Sequence, residues 1–370
     1  MEVAHAQLLP LSFLLKGQVL KIKRFAALLA TCLACTPALS AEPTIQAVTF
    51  KHPDGRTAPA EIYIDGEITP SLPRQLAASL ASNRIERGTI YLNSVGGDLQ
   101  AGMELGEFIR KTGFNTAIGK RGGGYGKPAP GSCQSACLMT FAGGVYRFAE
   151  PRTFFGIHRF YARTSGAQDL ALGQVISAAI TGYLLRMGVS PSLFEKMVNA
   201  GASPQKLPVE EALSLNLVNN GVLPVNWSIE GKGGKVYLQG EQKTWNGTGR
   251  LRVACSRSDV MTITAQYNAD QNTQKIKADA KHLSLRLNGG FVGIASEALV
   301  RPTSLSGGFL TTTFRASQNV SYELSRARSI GFAWLPAETS IFYGFDLSTA
   351  QHSDMAVSYT HLTLPTTPYV

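Results

Sequence analysis

The stretch Gly88-Thr-Ile-Tyr-Leu-Asn-Ser-Val-Gly-Gly97 begins as a nearly apolar run and ends in two consecutive glycines. A short apolar run bounded by glycines predicts a strand, and its continuous apolar character predicts burial on both faces. Glycine lacks a Cβ atom, so another main chain or a substrate can approach closely at residues 96 and 97. The stretch therefore predicts a buried strand of a parallel sheet with accessible main-chain amides at its carboxyl end.

Strands and helices alternate on both sides of this run. Alternating apolar and polar residues predict a strand over 61–68, and leucines at helical spacing predict a helix over 71–83. Further helices are predicted over 99–111 and 169–186, and a strand over 115–118. This order is typical of a parallel sheet with right-handed crossovers, so the N-terminal fold is predicted to be α/β.

Two chemically reactive side chains follow the first part of this unit. Ser135 lies in Gly131-Ser-Cys-Gln-Ser-Ala-Cys137, at the start of a predicted buried helix, and His158 ends a predicted strand. A serine hydroxyl becomes a nucleophile when a neighbouring base takes its proton, and histidine suits that role near neutral pH. Ser135 and His158 are therefore the predicted catalytic pair of a serine hydrolase.

Such a hydrolase also needs main-chain N–H groups that bind the oxyanion of its intermediate. The amide of Ala136 begins the predicted helix, where the helix dipole is positive. A second amide is expected from the glycine pair, so we predict an oxyanion hole formed by Gly97 and Ala136.

The order of these motifs resembles the ClpP-type serine proteases of the ClpP/crotonase superfamily. Asn93–Gly97, followed by Gly102, is similar to the oxyanion loop of that family, and Ser135 and His158 fall where its nucleophile and base lie. The resemblance covers residues 60–225. It implies a parallel-sheet spiral domain that hydrolyses peptide bonds in peptide or protein substrates and assembles into homo-oligomers.

One segment departs from that family. Residues 202–206, where the catalytic aspartate is expected, are Ala-Ser-Pro-Gln-Lys and contain no carboxylate. The aspartate holds the imidazole and stabilises its charged form, so its absence would slow catalysis by orders of magnitude. The alternatives are orientation of His158 by Asn199 or Ser203, a Ser–His pair acting alone, or the more distant carboxylates Glu195 and Asp169.

Three functions are compatible with these residues. The first, which we expect, is an exported serine peptidase. The second is a scaffold or binding protein that keeps the fold without catalysis, and the missing aspartate favours it. The third is a crotonase-type enzyme acting on acyl-CoA, which would have no use for Ser135.

Cys133 and Cys137 bracket Ser135 at positions i and i+4. In an oxidising compartment they could form a disulfide that stiffens the nucleophile turn. They could equally be two small buried side chains beside a tight turn. No spacing typical of metal ligands accompanies them, so neither a metal ion nor a cofactor is predicted.

The two ends of the chain differ in kind from the rest. Within residues 1–41, a basic cluster precedes an apolar run over 25–35 and then small residues, which predicts a secretory signal peptide with a doubtful upstream extension over 1–20. Export to the periplasm or the exterior of a bacterium is expected, with membrane contact only if the signal segment is not cleaved. Residues 357–370 resemble translated adapter sequence and are predicted to be an artefactual tail.

A different pattern begins at residue 226, where the predicted 42–225 domain ends. Short alternating runs such as 282–287, separated by Gly, Asn and Ser, predict a smaller all-β domain over 226–356, of sandwich or barrel type and without helices. The net charge of +10 is not concentrated in a basic block, so no nucleic-acid partner is expected.

Overall fold

The computed structural model describes residues 42–51, 57–122, 127–160, 169–232, 235–255, 261–324, 326–337 and 341–349. The predicted signal segment and the predicted C-terminal tail lie outside these ranges. Within the ranges, no helix combines the length and the apolar character that crossing a membrane would require.

The N-terminal region contains eight described strands and six described helices. The strands are β1 (Thr44–Val48), β2 (Ala60–Asp65), β3 (Gly88–Asn93), β4 (Asn115–Ile118), β5 (Ser132–Gln134), β6 (Arg147–Phe148), β7 (Phe154–Ile157) and β8 (Gln205–Leu207). The helices are α1 (Leu72–Ser82), α2 (Leu99–Thr112), α3 (Ala136–Ala142), α4 (Asp169–Arg186), α5 (Ser192–Asn199) and α6 (Val209–Ser214).

The larger N-terminal sheet is mostly parallel, with strand order β1-β2-β3-β4-β6. Strands β2, β3, β4 and β6 pair in parallel, and β1 adds to β2 in the antiparallel sense at one edge. Ile62 and Ile90 face each other across β2 and β3 and are fully buried. The predicted α/β class is confirmed, because α1 and α2 connect the parallel strands.

A smaller, three-stranded sheet positions the candidate site. Strand β5 pairs with β7 in parallel, and β7 pairs with β8 in the antiparallel sense. A parallel bridge between Ser94 and Cys133 connects β5 to the chain that leaves β3. The carboxyl ends of β3, β5 and β7 therefore lie side by side.

Helix α2 packs unusually close to α3. Asp98 caps α2 by accepting a hydrogen bond from the amide of Ala101 at 2.7 Å. A Cβ atom at Gly102 would lie 2.6 Å from the carbonyl oxygen of Ala136, so only glycine allows this approach. The close packing fixes the helix that follows Ser135.

A buried arginine, Arg147, and a half-buried one, Arg110, close the ends of helices in this region. Arg147 is 4% exposed and donates to the carbonyl oxygens of Gly144, Asn216 and Leu217. Arg110 donates to the carbonyl of Gly143 at 2.9 Å. Burial lowers the pKa of Arg147, and these carbonyl acceptors compensate the buried charge. Both arginines are therefore structural.

The C-terminal region is mainly antiparallel. Its strands are β9 (Asn226–Lys232), β10 (Lys235–Thr244), β11 (Gly247–Cys255), β12 (Met261–Asn268), β13 (His282–Leu287), β14 (Gly290–Gly293), β15 (Leu299–Ser306), β16 (Phe309–Arg315), β17 (Ser329–Leu335) and β18 (Tyr343–Ser348). They form a six-stranded sheet in the order β15-β16-β12-β11-β10-β9 and a four-stranded sheet in the order β14-β13-β17-β18.

The expectation of no helix in the C-terminal region is wrong. Helices α7 (Thr273–Asp279) and α8 (Gln318–Leu324) lie between its strands. Each has seven residues, and Ile276 and Leu324 are the buried apolar residues of α7 and α8. A helix of two turns with one buried apolar residue shows no periodicity, which explains why the sequence pattern missed both.

Each region has a hydrophobic core of its own. The N-terminal core is built around β2, β3 and α1 to α6, whereas Trp334, Phe314 and Phe332 lie at the centre of the C-terminal core. The indole N–H of Trp334 donates to Thr312 Oγ1 at 3.1 Å, which satisfies its one polar atom. The regions meet at Trp245, whose amide donates to the Gly221 carbonyl and whose ring lies edge-on to Phe148.

Candidate active site

Ser135 occupies a strained turn between β5 and α3. Its backbone has φ 53° and ψ −126°, a conformation that is rare for a residue with a side chain. The residue is 8% exposed, and its main-chain carbonyl accepts a hydrogen bond from Leu138. A serine on a strained strand-to-helix turn is the geometry that nucleophilic serines adopt in other hydrolases.

The parallel pairing of β5 and β7 brings the neighbourhoods of Ser135 and His158 together. Gln134 lies opposite Gly156, and the amide of Ser135 donates to the Gly156 carbonyl at 2.9 Å. His158 follows Gly156 by two residues, directly after β7 ends. The two side chains therefore leave the carboxyl ends of neighbouring strands, although no hydrogen bond among the described residues joins the Ser135 hydroxyl to the imidazole.

The glycine pair lies directly against Ser135. Gly96 has φ 108°, and a Cβ atom there would be 2.6 Å from the Ser135 Cβ. The Gly96 carbonyl accepts from Ile68 at 2.7 Å and the Asp98 amide donates to Ile68 at 2.8 Å. The N–H of Gly97 belongs to the same trans peptide group as the Gly96 carbonyl and points the opposite way, so it is directed away from Ile68.

Two amides at this point have no protein acceptor within the described residues. Gly97 N–H makes no hydrogen bond there, and Ala136 N–H, as the first amide of α3, has none within its helix. Ala136 is fully buried, where main-chain amides are normally paired, whereas Gly97 is exposed to solvent. Unpaired main-chain amides beside a serine are candidate anion-binding groups. These are the two amides that the sequence predicts for the oxyanion hole.

A disulfide joins Cys133 to Cys137. The two residues lie on either side of Ser135, one in β5 and the other in α3, and both are fully buried. Of the two alternatives that the sequence leaves open, the structure has the bridged one. The bond closes a ring around the turn that carries the candidate nucleophile.

The imidazole of His158 contacts its neighbour's main chain. Its Nδ1 lies 2.9 Å from the carbonyl oxygen of Arg159, and its ring centroid is 6.2 Å from that of Phe160. A carbonyl oxygen only accepts, so this hydrogen bond requires a proton on Nδ1. The neutral imidazole then has its lone pair on Nε2, the nitrogen that acts as the base in serine hydrolases.

Among the described residues, the structure does not bring the proposed orienting side chains to His158. Asn199 ends α5, Ser203 lies in the loop before β8, and both are exposed without a described hydrogen bond to the imidazole. Glu195 is exposed in the first turn of α5 and has no described contact with it either. The side chain of Asp169 lies outside the described residues. A contact to a main-chain carbonyl is found instead.

Sequence reasoning missed the residues that hold β5 in place. The side-chain oxygen of Asn93 accepts a hydrogen bond from the Ser132 amide at 2.9 Å. The main chain of Ser94 donates to Ser132 at 2.8 Å and accepts from Gln134 at 3.0 Å. Asn93 and Ser94 are separated from the glycine pair only by Val95, so their position in the motif was the available signal.

Within the described ranges, no three histidine, cysteine or carboxylate side chains are grouped so that they could hold a metal ion. No protein-family model and no curated protein matches the chain. Among solved structures, the chain is similar to ClpP1 from Listeria monocytogenes, with 21% identity and a TM-score of 0.34, and to a point mutant of that protein, with 22% identity and a TM-score of 0.33. Each alignment covers 43% of this chain and 88% of the other. Similarity at this level assigns neither an activity nor a site residue to this chain.

Proposed function

We propose that the protein is a serine peptidase of the ClpP-like type, exported from a bacterial cell. Ser135 attacks the carbonyl carbon of a peptide bond while His158 Nε2 takes the hydroxyl proton. The developing oxyanion is bound by the amides of Gly97 and Ala136. His158 then gives the proton to the leaving amine. A water molecule, activated by the same imidazole, finally releases the acyl group from Ser135.

The observation that carries this proposal is the arrangement at the strained turn. A serine with φ 53° lies against Gly96, and the amides of Gly97 and Ala136, which follow Gly96 and Ser135 in the chain, lack an acceptor among the described residues. Strain of this kind costs about 1–3 kcal/mol and persists at functional sites. A purely structural serine at a helix start would have no need of that conformation.

A scaffold without catalysis is the second candidate. Two observations favour it: residues 202–206 contain no carboxylate, and no hydrogen bond among the described residues joins Ser135 Oγ to His158. Catalytic hydrogen bonds are often long in the absence of substrate, so the second observation counts for less than the first.

A fluorophosphonate probe tests the proposal, because it reacts with activated serines and needs no known substrate. We expect labelling of the wild-type protein that disappears in Ser135→Ala and in His158→Ala. Both variants are expected to melt at the wild-type temperature, because neither Ser135 nor His158 belongs to the hydrophobic core. Ser132→Ala, three residues from the nucleophile, is the matched control and is expected to label normally. Failure of the wild-type protein to label at any pH would favour the scaffold.

Residues 1–41 would direct export, which places the disulfide in a compartment where it can form. The substrate would be an extended peptide or protein segment, and the 42–225 domain would associate into homo-oligomers. The 226–356 domain would have a separate role, such as recruiting the substrate. Light scattering of the purified protein tests the association.

A further inference from the structure

We infer that the main-chain carbonyl of Arg159 orients His158 in place of a catalytic aspartate, and that the Arg159 side chain is a positioning residue for the base. The inference rests on the proposed peptidase function. It accounts for a base that works although no carboxylate occurs at residues 202–206.

The hydrogen bond at Nδ1 determines the tautomer of the His158 imidazole. The 2.9 Å contact from Nδ1 to the Arg159 carbonyl places the proton on Nδ1. In a catalytic triad the aspartate selects this same tautomer. Replacement of that aspartate by asparagine greatly slows catalysis, because the tautomer is no longer selected. A carbonyl oxygen performs the selection equally well, because it too can only accept.

Two hydrogen bonds of Arg159 hold its carbonyl in place. The amide of Arg159 donates to the Gly201 carbonyl at 3.1 Å, and its Nε donates to the Val198 carbonyl at 3.0 Å. Val198 belongs to the last turn of α5 and Gly201 follows that helix. The residue is thus fixed through both its main chain and its side chain to one segment.

The segment that holds Arg159 extends from Val198 to Gly201. It leads directly into residues 202–206, where the ClpP-type proteases have their aspartate. The segment therefore reaches His158 indirectly, through Arg159, instead of through a carboxylate of its own. A carbonyl fixes the tautomer without supplying a negative charge, so the imidazolium formed during the reaction is stabilised less than in a full triad. A functional but slow hydrolase is the consequence.

Three variants test the side chain of Arg159. Arg159→Ala removes the hydrogen bond to Val198, and we expect the fluorophosphonate labelling rate to fall about tenfold, the effect of one lost hydrogen bond. Arg159→Lys keeps a cationic donor one atom beyond the position of Nε and is expected to recover part of that rate. Arg152→Ala removes an exposed arginine from the turn before β7 and is expected to label like the wild-type protein.

Nitrogen-15 NMR of the imidazole tests the orientation without any reference to activity. We expect wild-type His158 to carry its neutral-form proton on Nδ1, and we expect Arg159→Ala to shift the population toward Nε2. A wild-type imidazole protonated on Nε2, or an Arg159→Ala variant that labels at the wild-type rate, would overturn the inference. If Arg159→Ala does not fold, the wild-type tautomer and the Arg159→Lys rate decide. A wild-type protein that never labels but has the Nδ1 proton would refute the peptidase and leave the orientation of His158 intact.

Discussion

The N-terminal and C-terminal regions use main-chain hydrogen bonding in different ways. In the N-terminal region, parallel strands end side by side and leave the amides of Gly97 and Ala136 without an acceptor among the described residues. In the C-terminal region, antiparallel ladders run from strand to strand, and charged side chains pair across them, as Arg250 does with Glu241. Polar content therefore does not distinguish the candidate site. The candidate site is distinguished by main-chain donors without an acceptor among the described residues, next to the candidate nucleophile Ser135.

Equal losses of core packing in the two regions should have unequal effects on the candidate site. Phe155→Ala and Trp334→Ala each truncate a fully buried aromatic residue and should each cost about 3–5 kcal/mol of unfolding free energy. Phe155 lies in β7, which pairs with β5, so only its variant should slow fluorophosphonate labelling. Urea unfolding and labelling rates measure both effects. Slower labelling in folded Trp334→Ala would show that the two regions are coupled.

Gly96→Ala should damage the site more than the fold. Its Cβ would lie 2.6 Å from the Ser135 Cβ and 2.9 Å from the Gln134 carbonyl, so the loop must move and take the Gly97 amide with it. We expect a loss of about 1–3 kcal/mol from overpacking, and labelling slower by about 100-fold, the effect of one lost oxyanion donor. Gly113→Ala has positive φ without any nearby atom and is the matched control. Normal labelling of Gly96→Ala would contradict the assignment of the oxyanion hole.

Removal of the disulfide should affect the N-terminal region alone. The double variant Cys133→Ala, Cys137→Ala should lose about 2 kcal/mol, as expected for a short closed loop, and should label more slowly because the Ser135 turn is less constrained. Calorimetry and labelling measure these effects, with Cys255→Ala as the control. A double variant that labels at the wild-type rate would mean that the bond stabilises the fold without positioning the nucleophile.

The smallest effect is expected at Tyr183, whose hydroxyl donates to the Met139 carbonyl at 2.6 Å. Burial raises the pKa of Tyr183 above its ordinary value of 10.0, so the folded state retains this proton more tightly than the unfolded state. Its stabilising contribution is complete below pH 10.0 and is lost as the pH rises further. Tyr183→Phe should cost about 1 kcal/mol at pH 7 and show a shallower alkaline decline.

Unfolding midpoints between pH 7 and about pH 11 would measure that decline, because the linkage acts only above the ordinary pKa of tyrosine. Tyr322→Phe, at an exposed tyrosine, is the control. Equal alkaline slopes for wild-type protein and Tyr183→Phe would contradict the role of the buried hydroxyl.

The sequence predicted long and strongly patterned elements well and short ones poorly. Helix α4 and strand β13 have the predicted bounds, because α4 has 18 residues and β13 alternates apolar and polar side chains. Strands β5, β6 and β8 have two or three residues each and were missed as strands. A strand that short is defined by its neighbours in the sheet, and a local pattern cannot reveal it. The order of Gly97, Ser135 and His158 was readable because each lies at the end of a recognisable element.

The residue types and their order predicted the chemistry of the candidate site. A glycine pair, a hydroxyl and an imidazole that follow parallel strands in this order are the groups that a serine hydrolase requires. The contact that we propose orients His158 could be seen only in the tertiary structure. The Arg159 carbonyl reaches His158 Nδ1 while Arg159 itself is tied to Val198 and Gly201. Main-chain acceptors occur at every residue, so no sequence pattern marks the one that the fold brings within hydrogen-bonding distance.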